Sequence, residues 1–405
     1  MALHYLLHLF FIGTATSTCS SAPAAAAPLA LAPAAEAPTP LAAAKEAVDA
    51  LMAFYDPTSG LWGPGNAPWW QSALALQAVV DYMALSGSRE YVSQARHTIE
   101  AQRGVLPWWP AGGGEFRAES TDDTGWWALA LVAMHELTGE AEFLDIAKAD
   151  EAYMWEYWTG SDGSGNSNTE GSSYSCGGGI IWQVSTRSYH NAISNELYLL
   201  LAAKLHNLNL NVGDGGVTAA AEPYLLDRAL REWDWFRNSG MINGANLIND
   251  GLLEDAATQT CANNNAPTWT YNQGVVLTGL AELYRTTGDG TYLDAARRVA
   301  DAVLASPALL GAGGILTEPC TASGEDCDPD RTAFKGIFMR QLAKLDAVLV
   351  DRPYAAVIQR HAQAVYAAAR NASGFYGGVW QGPFDKASVG RQASAVLLLL
   401  AALEP

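Results

Sequence analysis

Two consecutive acidic residues, Asp122 and Asp123, stand at the start of a predicted helix, inside the segment Glu119–Trp127. Cleavage of a glycosidic bond uses one carboxyl group as proton donor and a second as nucleophile or base. Neighbouring residues at a helix start can bring their carboxyls to the shorter separation, about 5–5.5 Å, that accompanies retention of configuration. The simpler alternative is that both acids cap the helix, because carboxylates there satisfy free amides and the dipole.

Aromatic residues surround this acid pair in the sequence. Trp108 and Trp109 lie upstream of it, and Trp126 and Trp127 follow within about one helical turn. Indole rings exclude water from carboxyls, and two adjacent carboxyls resist ionising together, so both effects raise the pKa of one acid. The helix dipole acts in the opposite direction. Burial and proximity must outweigh the dipole for one acid to hold a proton near neutral pH.

Two further predicted helix starts, in the segments Tyr189–Glu196 and Trp269–Gly274, carry side chains suited to sugar recognition. Asn, Gln and Tyr form directional hydrogen bonds, and Trp offers a flat face. Helix capping and core packing are the ordinary alternatives for each residue alone. Glu196 fits either a third acid in the cleft or a buried structural role. The predicted sugar contacts are Trp69, Trp126, Trp127, Asn191, Asn195, Trp269, Tyr271, Asn272 and Gln273.

Apolar residues at helical spacing predict twelve helices and almost no strand. The helices are expected near residues 41–55, 70–86, 89–102, 122–138, 141–157, 190–206, 222–238, 270–286, 290–304, 331–349, 353–370 and 388–403. These pair into six antiparallel hairpins. A ring of six hairpins, one helix layer inside another, is an all-α (α/α)6 barrel, and an open solenoid of helix pairs is the alternative.

The predicted connections alternate in length and composition. Odd-to-even connections such as 60–70, 106–121 and 161–189 are long and rich in Gly, Trp, Tyr and Asn, whereas most even-to-odd connections are short. Alternate connections of an up-and-down ring lie on opposite faces, so the long loops share one rim. We therefore expect the functional site on that rim, together with the acid pair.

Charge limits the possible partners of this 405-residue chain, which carries 42 acidic and 23 basic residues and a net charge of −19. Such a surface repels the phosphates of nucleic acids and the anionic face of membranes, so neither is an expected partner. A neutral polymer is compatible with it. The 14 Trp and 16 Tyr residues fit either an aromatic core or a groove lined with rings.

The N-terminal region predicts export. Residues 1–22 contain a short apolar run followed by small polar residues, which is typical of a signal peptide and too short to span a bilayer comfortably. Residues 23–40 are rich in Ala and Pro and predict a linker. Residues 41–405 then form a single catalytic domain, without a second membrane-length segment. We expect a secreted protein, extracellular or associated with a cell wall.

Four cysteines remain once the signal peptide is removed, and an even number in a secreted chain predicts two disulfides. Cys320 and Cys327 are close in sequence and form one expected pair, which leaves Cys176 and Cys261 for the other. Their spacing does not match a zinc site, so no metal is expected. Asn371 begins the one glycosylation sequon.

Five ordered segments resemble glycoside hydrolase family 76, namely residues 122–130, 176–182, 191–197, 269–274 and 334–338. The likeness extends over roughly residues 42–403. It implies an (α/α)6 barrel and a retaining, endo-acting hydrolase of α-1,6-linked mannan that needs neither metal nor other cofactor. It also implies that Asp122 is the nucleophile and Asp123 the general acid/base.

The resemblance leaves alternatives within and beyond this family. The segment 318–327 is similar to a fungal branch associated with transferring mannoproteins onto cell-wall glucan, whereas residues 193–197 are closer to the hydrolases and the C-terminus lacks the branch's usual anchor signal. His190 stands where Lys is common, which affects expectations about the subsites. We expect a monomeric endo-α-1,6-mannanase acting on α-mannan or mannoprotein glycan. A wall transglycosidase using the same acids and a non-catalytic mannan-binding wall protein are the alternatives.

Overall fold

The computed structural model describes residues 39–160, 176–211, 222–255, 257–258, 260–325, 327 and 329–404. Within these residues the chain forms thirteen α-helices and one antiparallel hairpin. The helices are α1 (Pro40–Met52), α2 (Trp69–Ser86), α3 (Val92–Gln102), α4 (Thr121–Thr138), α5 (Ala141–Trp155), α6 (Ala192–Asn211), α7 (Pro223–Asn238), α8 (Thr270–Thr287), α9 (Thr291–Ala305), α10 (Pro319–Ala322), α11 (Phe334–Asp346), α12 (Ala355–Ala368) and α13 (Val389–Ala401). The strands are β1 (Leu252–Asp255) and β2 (Thr260–Asn263).

Six of the helices form a closed inner ring. In the order α2, α4, α6, α8, α11 and α13, each packs against the next, and α13 packs back against α2. The other long helices, α1, α3, α5, α7, α9 and α12, pack outside against members of this ring. The predicted (α/α)6 barrel is therefore confirmed, and the contact between α13 and α2 excludes the open solenoid.

Apolar patterning explains which helices lie inside. Every residue of α13 is buried, as expected for a helix surrounded by other helices on all sides. In the outer helix α9 the buried residues are Ala295, Ala296, Val299, Ala300 and Val303, which share one face. That helix covers the core on one side and meets solvent on the other.

The twelve predicted helices are present, with ends that differ by a few residues. The sequence pattern does not predict α10 or the hairpin, because each of these elements has only four residues and is too short to show a period. Pro40, predicted as the end of the linker, is instead the first residue of α1, where Thr39 Oγ1 accepts a 3.2 Å hydrogen bond from the Ala42 amide. The predicted signal peptide and the linker up to residue 38 lie outside the described residues.

Long connections lead into the inner helices at their N-terminal ends, at residues 53–68, 103–120, 156–191, 239–269, 306–333 and 369–388. Connections leaving the inner helices, such as 139–140 and 288–290, are short. This is the predicted alternation. It places the N-termini of the inner helices and the elaborate loops at the same mouth of the barrel.

Two disulfides with the predicted pairing link elements within these loops. Cys176 is bonded to Cys261, which joins the connection before α6 to strand β2, and Cys320 is bonded to Cys327 beside α10. Asn371, the predicted glycosylation site, lies in the connection between α12 and α13 and is partly exposed. In the part of the chain that the structure describes, no helix has the length and apolar character needed to cross a membrane.

Candidate active site

A pocket of about 380 Å³ opens where α2, α4, α8 and α11 begin. Its wall is completed by the connections that precede α6, α8 and α11. The residues that line it are Trp70, Ser120, Asp122, Asp123, Trp126, Trp182, Tyr189, Asn191, Asp250, Tyr271, Asp330 and Phe334. Both members of the acid pair therefore face one cavity, at the mouth that carries the long loops.

The position of the acid pair is set by the first residue of α4. Thr121 is fully buried, and its hydroxyl donates to the carbonyl oxygen of Ile181 at 2.8 Å and contacts Ser194 Oγ at 2.9 Å. The Thr121 amide also donates to the carbonyl oxygen of Trp182 at 2.9 Å. These bonds fasten the start of α4 to the loop before α6. Asp122 and Asp123 consequently sit in the first turn with both side chains half-buried.

Asp122 is held by two donors. The Asp123 amide and the indole Nε1 of Trp182 each donate to Asp122 Oδ1 at 3.0 Å. Burial raises the pKa of Asp122 to about 7, and the carboxylate of Asp330 adds to that rise, while the two hydrogen bonds act in the opposite direction. Because both donors stabilise the charged form, this acid is the better placed of the pair to carry a negative charge.

Asp123 lies in different surroundings. Its carboxyl receives no stabilising hydrogen bond from the described residues, and burial, the Asp122 charge and the Asp330 charge all raise its pKa well above the usual range. Two adjacent carboxyls resist ionising together, and only Asp122 has donors that stabilise its charged form. The surroundings therefore favour ionisation of Asp122 over ionisation of Asp123. Helix capping accounts only for the hydrogen bond from the Asp123 amide to Asp122. Both carboxyls also line the pocket.

Aromatic rings form two walls of the pocket. Trp70 and Trp126 stack with centroids 5.5 Å apart and an interplanar angle of 26°. Trp70 Nε1 donates to Asp330 Oδ1 at 2.8 Å, which links this wall to the loop before α11. Tyr271 and Phe334 form the other stacked pair, with centroids 3.7 Å apart and an interplanar angle of 6°. Flat faces of this kind pack against the apolar faces of sugar rings.

The remaining wall is polar and acidic. The Tyr189 hydroxyl donates to Asp250 Oδ2 at 2.5 Å and accepts from Asn264 Nδ2 at 2.8 Å. Asn191 Oδ1 accepts the Ser194 amide at 3.2 Å, and its Nδ2 donates to none of the residues that the structure describes. Four aspartates and no basic residue occur among the described residues that line this cavity. It suits a ligand that offers hydroxyl donors.

The family model for glycosyl hydrolase family 76 matches residues 40–404, which is almost the whole described domain. This chain belongs to glycosyl hydrolase family 76.

Named relatives support this membership. The Candida albicans protein mannan endo-1,6-alpha-mannosidase DFG5 is 26% identical over 375 residues, which are 86% of this chain and 74% of that protein. A Schizosaccharomyces pombe relative is 28% identical over 306 residues, 73% of this chain. The chain spans only 62% of the length of that relative.

Solved family 76 structures share the fold. An inactive variant of a Salegentibacter alpha-1,6-mannanase, in complex with alpha-1,6-mannotriose, matches with a TM-score of 0.74 and 20% identity, covering 90% of this chain and 99% of that one. Dfg5 from Chaetomium thermophilum, in complex with glucosamine, matches with a TM-score of 0.71 and 22% identity, covering 90% and 89%.

Three of the nine predicted sugar contacts line the pocket of this family 76 chain: Trp126, Asn191 and Tyr271. Two predicted tryptophans do not. Trp127 is fully buried and packs against Trp69 and Phe116, with centroids at 4.9 and 4.8 Å. The Trp69 indole nitrogen donates to Gln102 Oε1 at 2.9 Å, away from the acid pair.

Three predicted amide contacts and one further tryptophan are likewise absent from the pocket lining. Buried Asn195 bonds both backbone groups of Ile180, at 2.7 and 3.1 Å. Buried Gln273 does the same with Ile248, at 2.7 Å each. Neither Asn272, which is fully buried, nor Trp269, whose ring lies 4.8 Å below the Arg331 guanidinium, lines the pocket.

His190 also lies outside the pocket lining. It is fully buried, and its Nδ1 lies 2.5 Å from Glu254 Oε1 while its Nε2 lies 3.0 Å from Thr159 Oγ1. Glu196 is likewise fully buried and does not line the pocket.

Pocket residues that the sequence does not single out fall into two groups. Trp182 and Tyr189 lie inside or beside segments that resemble the family, so those segments already point to them. Phe334 begins another such segment, and Trp70 is the first residue of the helix predicted at 70–86. Asp250 and Asp330 come from long connections and have no local signal in the sequence.

Cys176, His190 and Glu254 form a cluster whose potential ligand atoms lie within 4.8 Å of one another. The sulfur of Cys176 is bonded to Cys261, so it is not a thiolate. A metal site needs deprotonated ligands. This donor set therefore does not fit a metal ion while the disulfide is intact.

Proposed function

We propose that this chain is a secreted, retaining endo-α-1,6-mannosidase that hydrolyses mannan. The observation that carries the proposal is the unequal environment of the acid pair, with donors on Asp122 and none from the described residues on Asp123. A nucleophile must be ionised and a general acid protonated at the same pH. The hydrogen bonds to Asp122 and their absence at Asp123 support this division of roles.

The reaction proceeds by double displacement. An Asp122 oxygen attacks the anomeric carbon while Asp123 gives its proton to the departing glycosidic oxygen, which releases the first sugar chain. A mannosyl ester on Asp122 remains. Asp123, now ionised, takes a proton from water as that water attacks the same carbon, and Asp122 leaves with its electron pair. Two inversions give a product with the starting configuration.

The substrate assignment draws on the relatives as well as the pocket. The Candida albicans relative is named a mannan endo-1,6-alpha-mannosidase, and the Salegentibacter enzyme was solved with alpha-1,6-mannotriose. Stacked rings and acidic acceptors in the pocket suit a neutral, hydroxyl-rich chain. Export rests on the predicted signal peptide over residues 1–22, and N-terminal sequencing of the mature protein tests it.

A transglycosidase is the second candidate, with a mannoprotein glycan as donor and a wall glucan hydroxyl as acceptor. The matching Chaetomium thermophilum Dfg5 structure holds glucosamine, and the four pocket aspartates of the present chain suit an amino sugar. In this reaction the acceptor hydroxyl replaces water in the second displacement. The third candidate is a wall protein that binds mannan without catalysis.

Incubation with linear α-1,6-mannan separates the three. Hydrolysis gives short oligosaccharides, and NMR of the first-formed reducing ends shows the α-anomer if configuration is retained. Transglycosylation gives longer chains or adducts when an acceptor glycan is added. Unchanged polymer that still binds the protein refutes both enzymatic proposals. The double variant Asp122→Asn/Asp123→Asn is the matched inactive control.

A further inference from the structure

A second cleft, of about 600 Å³, lies on the outer wall of the barrel between α7 and α9. We propose that this cleft binds a second stretch of the mannan chain, outside the active site. The proposal rests on the proposed function for the identity of the polymer. The residues that carry it are Trp233, Asn246, Asp289, Tyr292 and Arg298.

An aromatic surface is available in this outer cleft. Tyr292 is half-buried at the start of α9, and its hydroxyl makes no hydrogen bond to any residue within the described ranges. Burial and the Asp289 carboxylate raise the pKa of this hydroxyl, which therefore stays protonated and able to donate. Trp233 is mostly buried and contributes a second ring to the lining. Rings of this kind are the usual platforms for sugars.

Polar groups with spare hydrogen-bonding capacity surround the rings. Arg298 is exposed and forms no ion pair with the residues that the structure places. Asp289 Oδ1 accepts the Thr291 amide at 2.9 Å, and the Thr291 hydroxyl is a second partner of this exposed carboxylate, whose oxygens can each accept more than one hydrogen bond. The side chain of Asn246 is exposed in the loop before β1. A guanidinium, a carboxylate and an amide together match vicinal hydroxyls, which both donate and accept.

Charge in the outer cleft favours a neutral ligand. Two acids, Asp234 and Asp289, are balanced by Arg237 and Arg298, and Arg237 pairs with Asp234 at 2.6 Å. This balance contrasts with the net charge of −19 on the whole chain. A charged ligand of either sign would leave one of these groups opposed to it, whereas an uncharged glycan would not.

One loop connects the outer cleft to the active site. Asn246 precedes the pocket residue Asp250 by four positions. Asn243 Nδ2, in the same loop, donates to Asn249 Oδ1 at 2.8 Å, which braces the segment between them. A chain held in the outer cleft is therefore kept near the pocket, and the second contact becomes intramolecular. This raises the effective concentration of polymer, but not of a short oligosaccharide.

Affinity electrophoresis through gels containing α-1,6-mannan tests the inference directly. All proteins carry Asp122→Asn and Asp123→Asn, so that the gel polymer stays intact. Adding Tyr292→Ala and Arg298→Ala should weaken retention about fivefold, as loss of one ring contact and one hydrogen bond implies. The matched control is Tyr366→Ala on outer helix α12, where a half-buried tyrosine ring also lies beside an arginine, Arg370, at 4.8 Å. That variant should be retained like the parent.

Kinetics of the otherwise wild-type enzyme give the second readout. Tyr292→Ala/Arg298→Ala should raise KM for polymer about fivefold and leave kcat/KM for a short α-1,6-mannooligosaccharide within twofold. Retention equal to that of the control, or no retention of the parent, overturns the inference. If wild-type protein fails to cleave mannan but its retention still depends on Tyr292 and Arg298, the proposed function fails and the outer binding site stands.

Discussion

The indole nitrogen of Trp182, in the loop that joins α5 to α6, donates to Asp122 Oδ1 on α4 at 3.0 Å. Asp123 has no equivalent donor from the described residues. Two residues adjacent in sequence, on one helical turn, therefore differ in how well their surroundings stabilise the charged carboxylate. In the proposed mechanism this bond favours Asp122 as the group that attacks and Asp123 as the group that protonates.

Replacing Trp182 by Phe should keep the ring and remove that bond. Loss of a hydrogen bond to a carboxylate costs the charged form about 1.5–3 kcal/mol, which corresponds to a rise of about one to two units in the pKa of Asp122. The acid limb of the kcat/KM profile should move to higher pH by that amount. A pH profile measures it. Trp69→Phe, which loses a bond to Gln102 instead, is the control, and an acid limb that stays in place for Trp182→Phe contradicts the role given to the bond.

Single variants of the acid pair should separate the two roles. Asp122→Ala should abolish mannan cleavage because it removes the nucleophile. Asp123→Ala should reduce cleavage by at least about 1000-fold because it removes the general acid. Mannosides with a good leaving group need no acid, so Asp123→Ala should still form the mannosyl-enzyme with them. Azide should then speed turnover of that variant only. Circular dichroism should show an unchanged helical fold in both, and equal behaviour of the two variants would contradict the assignment.

Asp330 should tune the basic limb of the pH profile. Its negative charge raises the pKa of Asp123, so Asp330→Asn should lower that pKa and make the general acid lose its proton at lower pH. We expect the basic limb to shift acidward by about 0.5–1 unit. Asp227→Asn, on the outer helix α7, should leave the profile unchanged. A shift toward higher pH in Asp330→Asn would have the wrong sign for this explanation.

The two disulfides should contribute unequally to stability. Cys176 and Cys261 are 85 residues apart and Cys320 and Cys327 only seven, so the first bond restricts the unfolded chain more. Replacing the first pair by Ser should lower the free energy of unfolding by about 4–5 kcal/mol and replacing the second by about 2–3 kcal/mol. Denaturant titration measures both. Full reduction of the wild type should bring it to the stability of the protein lacking all four cysteines.

Much of this architecture follows from short-range patterns. Helical periodicity predicts the barrel helices, and the alternation of loop lengths predicts the mouth at which Asp122 and Asp123 lie. It is harder to predict which of two neighbouring tryptophans faces the pocket. Successive helix residues point about 100° apart, and the rotation of the helix depends on packing. Trp70 rather than Trp69 therefore reaches the pocket, and Trp126 reaches it while Trp127 does not.

Sequence patterns do not predict the acids that the loops contribute to the pocket. Asp250 and Asp330 enter the pocket from connections whose course depends on contacts with other elements. Asp330 is held by Trp70 and Asp250 by Tyr189, each far away in sequence. No spacing rule links these pairs. Only the folded ring brings them together.

The contact between α13 and α2 has a consequence for biosynthesis. Helix α1 packs on both of them, so the earliest and latest helices of the barrel share one seam. A nascent chain must therefore leave the apolar flanks of α1 and α2 uncovered until residues 389–401 have emerged from the ribosome. Apolar surface that stays uncovered in this way is prone to aggregate, and a translational pause before the last helix would prolong its exposure.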